Sequence, residues 1–408
     1  MVPKGWMLKQ LSDIVKEKIS YGIVQAGPHI PNGIPYIKSS DIRGAIDPAS
    51  LQRTAPEIHY KYRRSAVHPG DIIFSLRGNI GETAIVPSNL LEANLTQGTA
   101  RISVSGDQCN EFYHQQFAMD KLRNYINSLS KGSTFKEISL EELRKVKVLC
   151  APLPEQKKIA QILSTWDKAI TVTEKLLVNS QQQKKALMQQ LLTGKKRLLD
   201  ENGERFSGEW KRVKLGAIAD MNSGGTPKST VEEYYGGNIP WVSISDMTSN
   251  GKWIATTEKY LTELGLNSSS ARIYPKNSVL YAMYASIGEC SIAAVNLTSS
   301  QAILGIRPKD CLNYEFLYFY LTSLKEKIKL QGQQGTQSNL NAGMVKEFEL
   351  DLPSIREQQK IAAVLSVADA EISTLEKKLA CLRDEKKALM QQLLTGKRRV
   401  KVDEAVAE

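Results

Sequence analysis

Five cysteines are spread through 408 residues, at positions 109, 150, 290, 311 and 381, and no two form a Cys-x-x-Cys pair. An odd, scattered set argues against a disulfide or zinc framework and for a reducing cytoplasm. Histidine is scarcer still: His29, His59, His68 and His114 all fall in the first third, with no His-x-x-x-His spacing. They read as ordinary surface or core side chains, and no metal site is expected. No run of 18 apolar residues exists, so no transmembrane helix and no membrane partner are expected. The first nine residues, with Lys4, Trp6 and Lys9, lead into no apolar run and do not read as a signal peptide. Catalytic motifs are missing too. The chain has no Gly-x-x-x-x-Gly-Lys-Ser/Thr phosphate loop, no Asn/Asp-Pro-Pro-Tyr/Phe motif, no Gly-x-Ser-x-Gly elbow and no Pro-Asp step for a nuclease motif. A self-sufficient nuclease or methyltransferase would need one of these, so a chain without chemistry of its own is expected.

What the chain has is positive charge and repetition. Its net charge is +11 and its pI about 9.2. Residues 1–200 hold 28 Lys/Arg against 18 Asp/Glu, whereas residues 201–408 hold 26 against 25. The first half is the stronger candidate for attraction to a polyanion. The run Lys184-Lys185-Ala186-Leu187-Met188-Gln189-Gln190-Leu191-Leu192-Thr193-Gly194-Lys195 recurs unchanged 202 residues later, from Lys386 to Lys397. The same offset relates Glu155-Gln156-Lys157-Lys158-Ile159-Ala160 to Glu357-Gln358-Gln359-Lys360-Ile361-Ala362. Weaker echoes link Trp6, Leu11 and Ile14 to Trp210, Leu215 and Ile218, Ile34-Pro35-Tyr36-Ile37 to Ile239-Pro240-Trp241-Val242, and Ile80-Gly81-Glu82 to Ile287-Gly288-Glu289. The chain therefore reads A1–B1–A2–B2: two B segments that share long identical runs and two A segments that share only anchor points. A period this long is duplication of a whole unit.

The B segments read as helices. Neither Pro nor Gly occurs between Glu155 and Thr193 or between Ser354 and Thr395; Pro154 and Pro353 stand before them, Gly194 and Gly396 after. Apolar residues recur in 4-3 spacing, the heptad pattern of a coiled coil. The expected seam is Ile159, Leu163, Trp166, Ile170, Leu177, Leu187 and Leu191 in the first helix. In the second it is Ile361, Leu365, Ala368, Ile372, Leu375, Leu379, Leu382, Leu389 and Leu393. Thr173, Ser180, Lys184 and Lys386 interrupt it, as polar seam residues that set register do. The expected fold is α+β: two globular domains joined by two long helices that pair as an intrachain antiparallel coiled coil, with a pseudo-two-fold repeat. The alternative is that each helix packs only on its own domain. The expected divisions are domain 1 over 1–152, helix 1 over 153–200, domain 2 over 201–353, and helix 2 with a tail over 354–408.

The A segments mix strand-like runs, such as Asp71–Ser75 and Ser278–Ala282, with helical stretches at Glu111–Leu129 and Tyr314–Leu330. Their loops are rich in Gly, small polar and basic residues, the types that meet base edges and phosphates. Candidate DNA contacts in the first domain are Ser39, Ser40, Arg43, Arg77, Asn79 and Lys136. In the second they are Ser223, Thr226, Lys228, Ser243, Ser245, Tyr284, Ser286, Gln337 and Asn339. Each loop alone also fits plain turn chemistry.

The order of variable domain, heptad helix, variable domain and heptad helix resembles the specificity subunit of type I restriction–modification enzymes. The resemblance rests on Pro154 to Leu163, Arg356 to Ala362, Leu187 to Gly194 with its second copy, Gly5-Trp6 with Leu11 to Ile14, and Ile34 to Ile42, and it spans essentially the whole chain. It implies a prokaryotic, cytoplasmic, non-catalytic subunit whose two target-recognition domains each read one half of a split duplex DNA sequence. It also implies that the paired helices set the spacing and dock two modification (methyltransferase) subunits that methylate adenine with S-adenosylmethionine. Motor-nuclease restriction subunits using ATP and Mg2+ complete the implied complex, and no cofactor is expected on this chain. Because the A segments diverge, the implied target is bipartite and asymmetric. The competing reading is a coiled-coil scaffold whose globular domains bind protein.

Overall fold

The computed structural model describes residues 2–132, 136–333 and 339–402. The chain divides into two compact units, Met1–Glu174 with Lys377–Glu408, and Lys175–Glu376. Each unit holds one globular domain, half of one long helix and the opposite half of the other.

In the first unit, Ile72-Ile73-Phe74-Ser75 forms a fully buried central strand. It lies between the antiparallel strands Thr99–Ile102 and Thr83–Ile85, and Ser20–Tyr21 closes the four-stranded sheet. A continuous run of β-branched and aromatic residues suits a strand covered on both faces. The alternation of side chains explains the two cores. Ile72 and Phe74 join Trp6, Leu11, Phe112 and Phe117 on one face, while Ile73 joins Ile37, Val67 and Leu95 on the other. Burying each such side chain contributes roughly 1.5–3 kcal/mol. A second, three-stranded sheet runs Arg53–Thr54, Ile34–Ile37, Asn94–Leu95.

The second unit repeats this frame. Val279–Ala282 is its central buried strand. Val279 and Tyr281 face one core, Leu280 and Ala282 the other. Its larger sheet has five strands and its smaller one three, built on Tyr235–Val242. In both units a two-stranded antiparallel ribbon ties the start of the domain to the residues just before the long helix: Met7–Gln10 with Lys147–Cys150, and Lys211–Lys214 with Glu349–Leu352. The helical stretch expected at Glu111–Leu129 is two helices, Asn110–Phe117 and Asp120–Ser128, broken at Ala118-Met119. Tyr314–Gln333 is one helix that ends three residues beyond the expected Leu330.

The long helices are Leu153–Leu191 and Ile355–Leu393, 39 residues each, or about 58 Å at about 1.5 Å per residue. Every expected seam residue is buried or half-buried, polar interruptions included. The helices pair, and they also pack on the domains. In the first unit, Ile159, Ala160 and Leu163 share a core with Met390, Leu393 and Leu394. In the second, Leu191 and Leu192 share one with Ile361, Ala362 and Leu365. The pairing is antiparallel in both. The first unit joins Lys386 to Asp167 (2.6 Å) and Arg383 to Glu174 (2.7 Å). The second joins Lys184 to Asp369, and Ser180 to Glu371 (3.1 Å). Lys184–Asp369 and Asp167–Lys386 are one interaction made twice with the helices exchanged, so the polar seam residues fix a reciprocal register. Both helices end on a left-handed glycine, Gly194 (φ 69°) and Gly396 (φ 67°).

The repeated Glu-Gln pair at each helix start also has a structural account. Glu155 is buried; it accepts the Trp6 indole N–H (3.0 Å) and two hydrogen bonds from Arg399 (2.6 and 2.7 Å). Glu357 is likewise buried and accepts from Trp210 (3.1 Å) and twice from Arg197 (2.5 and 2.8 Å). Each guanidinium also lies over the indole that shares its carboxylate. Next to these, the Gln156 carbonyl accepts the Cys109 N–H (2.9 Å), and the Gln358 carbonyl accepts the Asn313 N–H (2.8 Å). These latches seal each domain with the basic tail of the other repeat's helix.

Candidate nucleic-acid interface

Both domains carry a turn after the central strand that corresponds bond for bond. In the first domain it is Arg77-Gly78-Asn79, in the second Tyr284-Ala285-Ser286. Both turns are closed by the same backbone bonds: Gly81 N–H to Ser75 and Glu82 N–H to Asn79 in one, Gly288 N–H to Ala282 and Glu289 N–H to Ser286 in the other. Their centres are left-handed, Gly78 at φ 74° and Ala285 at φ 57°. A non-glycine residue in that region is uncommon and strained. The turn shape is thus kept at a cost while its leading side chain changes from Arg to Tyr.

Other candidates gather around each turn. The Leu76 N–H donates to Gly98, and the Ile138 N–H to Leu76, which brings 96–98 and 136–138 beside Arg77. Arg77 pairs with Glu137 (2.9 Å), and the Gln97 carbonyl, with its amide oriented to match, accepts from both terminal guanidinium nitrogens (2.7 and 3.0 Å). Asn79 donates to Glu82 (3.2 Å). Lys136 is exposed next to Glu137. In the second domain the Leu340 N–H donates to Met283, so exposed Asn339 stands by Tyr284 where Glu137 stands by Arg77. Gln337 lies outside the described residues.

The serine-containing loops form a second shared element. The Asp41 carboxylate accepts the Lys38 N–H (2.9 Å), and the Asp246 carboxylate accepts the Ser243 N–H (2.8 Å). Ser39 is half-buried near Gly98; Ser40 and Arg43 are exposed. Ser243 caps the helix Ile244–Asn250, and its hydroxyl donates to Asp246 (2.5 Å), a structural task. Ser245 is exposed on that helix. Ser223 ends the strand Ala219–Ser223, and Thr226 and Lys228 follow it exposed. Between them Gly224 packs against Ser299, as Gly22 packs against Leu95; a Cβ at either would overlap a backbone carbonyl.

Gln97 and Glu137, which hold Arg77, were not among the expected contacts. Their signal is spatial: they lie 20 and 60 residues from Arg77 in sequence. Among the described residues no group of three or more His, Cys, Asp or Glu side chains could hold a metal ion. No described helix is long and apolar enough to cross a membrane. The arrangement offers hydrogen-bond donors, acceptors and cations on fixed turns, which suits recognition.

The sequence pattern of the type I restriction–modification DNA specificity domain matches twice, at residues 3–179 and 207–382. The chain belongs to this family. Each copy takes in one domain and most of the long helix after it, so the two matches follow the duplication. The MjaIX specificity subunit of Methanocaldococcus jannaschii is 36% identical over 172 residues, 41% of this chain and 40% of that protein. The putative MjaX specificity subunit of the same organism is 26% identical over 98% of this chain and 95% of its own length. In fold the chain is similar to the type I S subunit from M. genitalium, with a TM-score of 0.64, 16% identity, and 96% of this chain and 99% of that one covered. A chain from a structure of type I restriction–modification complex assembly gives a TM-score of 0.57 at 18% identity, covering 97% of this chain and 98% of that one. As a member of the specificity family the chain is a DNA-recognition subunit, and the competing scaffold reading gains no support.

Proposed function

We propose that each domain reads one half of a bipartite, asymmetric duplex target, and that the paired helices set the distance between the halves. The observation that carries this reading is the contrast between repeats. The Lys–Asp pair across the helices and the Trp–Glu–Arg latch recur residue for residue, whereas the leading side chain of the shared turn changes from Arg77 to Tyr284. Arg reads guanine through paired donors, while Tyr offers one hydroxyl and a ring. Identical domains would suit a palindrome; these do not.

In the same reading, the repeated helix ends give one asymmetric chain two equivalent docking surfaces for two methyltransferase subunits. Those partners carry S-adenosylmethionine and methylate adenine. Motor-nuclease subunits, with ATP and Mg2+, join them for restriction, in a prokaryotic cytoplasm. This chain supplies recognition and no reacting group.

The test is equilibrium binding of the full chain with its modification subunits to duplex DNA at rising salt. Sequence preference with a negative slope of log K against log [salt] is expected. Absence of both would overturn the reading. Turnover by the purified chain alone with Mg2+ and S-adenosylmethionine would overturn the non-catalytic assignment.

A further inference from the structure

Resting on the DNA reading above, we propose that the turn Tyr60–Arg64 is a phosphate clamp of the first domain with no counterpart in the second. Tyr60 is 65% exposed, and Lys61, Arg63 and Arg64 are exposed beside it. Among the described residues these three cations enter no ion pair; Glu92, two residues before Asn94, lies by His59 (3.6 Å) and His68 (3.8 Å), and Glu57, one turn before Lys61, forms no ion pair with it. The Arg64 guanidinium lies over the Tyr62 ring at 5.6 Å. Three unpaired cations interleaved with aromatic rings fit a phosphate backbone.

The turn is held rigidly from beneath. Asn94 is fully buried and donates to the carbonyls of Tyr62 (3.2 Å) and His59 (3.4 Å). The buried Ser65 hydroxyl lies within hydrogen-bond reach of both the Asn94 carbonyl oxygen (2.8 Å) and the Tyr62 carbonyl (2.9 Å). Ser20 adds a hydrogen bond to the Arg64 carbonyl (3.2 Å). A backbone fixed this way presents its side chains with little ordering left to do on binding.

Strand pairing locates the same place in the second domain. Arg53–Thr54 and Lys259–Leu261 hold equivalent edges, and each is followed by a short helix, Pro56–Lys61 or Glu263–Asn267. The residues after the second helix are Ser268-Ser269-Ser270-Ala271-Arg272, with one cation in place of three. Tyr36 pairs with Asn94 in register as Trp241 pairs with Thr298, so Thr298 occupies the position of the anchor. Its buried hydroxyl has no hydrogen-bond partner. The second domain thus lacks both the charge and the support. The clamp accounts for part of the charge imbalance between the two halves of the chain, and it assigns sequence-independent grip mainly to the first domain.

The test compares the full chain with its modification subunits and the variant K61Q/R63Q/R64Q. Each complex binds a random-sequence duplex across a salt series and, by competition, its own target. Each phosphate neutralised contributes about 0.9 to the salt slope, so the variant's slope is expected to fall by about 2–3 while its preference for target stays unchanged. An unchanged slope would overturn the clamp. So would lost preference with an intact slope, which would make the turn a base reader. If thermal unfolding shows the triple variant misfolded, R64Q alone serves, with an expected loss of about 1 in slope and no loss overturning the proposal. A wild-type complex with neither slope nor preference would instead refute the proposed function itself.

Discussion

In the first domain the turn after Ile72–Ser75 leads with Arg77, held by Gln97 and Glu137. In the second the same turn, after Val279–Ala282, leads with Tyr284 beside Asn339. Beneath both lie the same central strand with two-faced packing, the same ribbon to the long helix and the same Trp–Glu–Arg latch. Duplication kept what both copies must do for folding and helix pairing and released what each presents at its tips. The expected effects of substitution should divide along the same line: alike in the two units where they strike the frame, confined to one half of the target where they strike a tip.

The largest effects are expected in the frame. Leu163→Ala and Leu365→Ala each remove a fully buried seam residue shared by helix and domain, at about 2–5 kcal/mol apiece. Denaturant unfolding should show two similar losses, and a tolerant site in one unit would break the equivalence. Arg399→Ala and Arg197→Ala strand the buried Glu155 and Glu357. A loss of roughly 2–4 kcal/mol each is expected, somewhat below that of a fully buried pair because the guanidiniums are partly exposed.

Smaller effects are expected at the tips. Arg77→Ala should relax discrimination by about 1–3 kcal/mol at one half-site without moving the other, and Tyr284→Ala should act on the other half-site. Competition with singly mismatched duplexes reads both. A pH difference should separate the units as well. Burial holds the His114 imidazole below its ordinary value, against the opposing pull of Asp167. Its contribution is therefore full above about pH 6.5 and shrinks as pH falls below that, because only the unfolded chain takes up the proton readily. Tyr318 follows its own domain's helix start at the matching position, so the second unit has no titrating imidazole there. His114→Gln should flatten the acid-side loss in urea unfolding. Smallest of all, Lys184→Met and Lys386→Met should each cost about 0.2–1 kcal/mol, since both ion pairs are part-exposed.

The helices were legible in sequence because heptad spacing is a local pattern, and each of its positions proved buried or half-buried. The latches were not. Arg399 and Glu155 lie 244 residues apart, and only their recurrence as Arg197 and Glu357 hinted at a shared task. Arg77-Gly78-Asn79 and Tyr284-Ala285-Ser286 both stood out as polar turns. Their equivalence was masked because the offset widens from 202 at the helices to 207 at the turn, as Ile80-Gly81-Glu82 and Ile287-Gly288-Glu289 show. Tyr60–Arg64 was not among the expected contacts. Only the buried Asn94 beneath it, brought there by strand pairing, sets it apart.

The central claim is that the two domains read separate halves of one target from a common frame. Replacing residues 201–353 with the matching domain of another family member, then mapping methylated sites across the host genome, tests it most directly. One half-site should change and the other, with the spacing between them, should stay. A change in both half-sites, or in neither, would contradict the account.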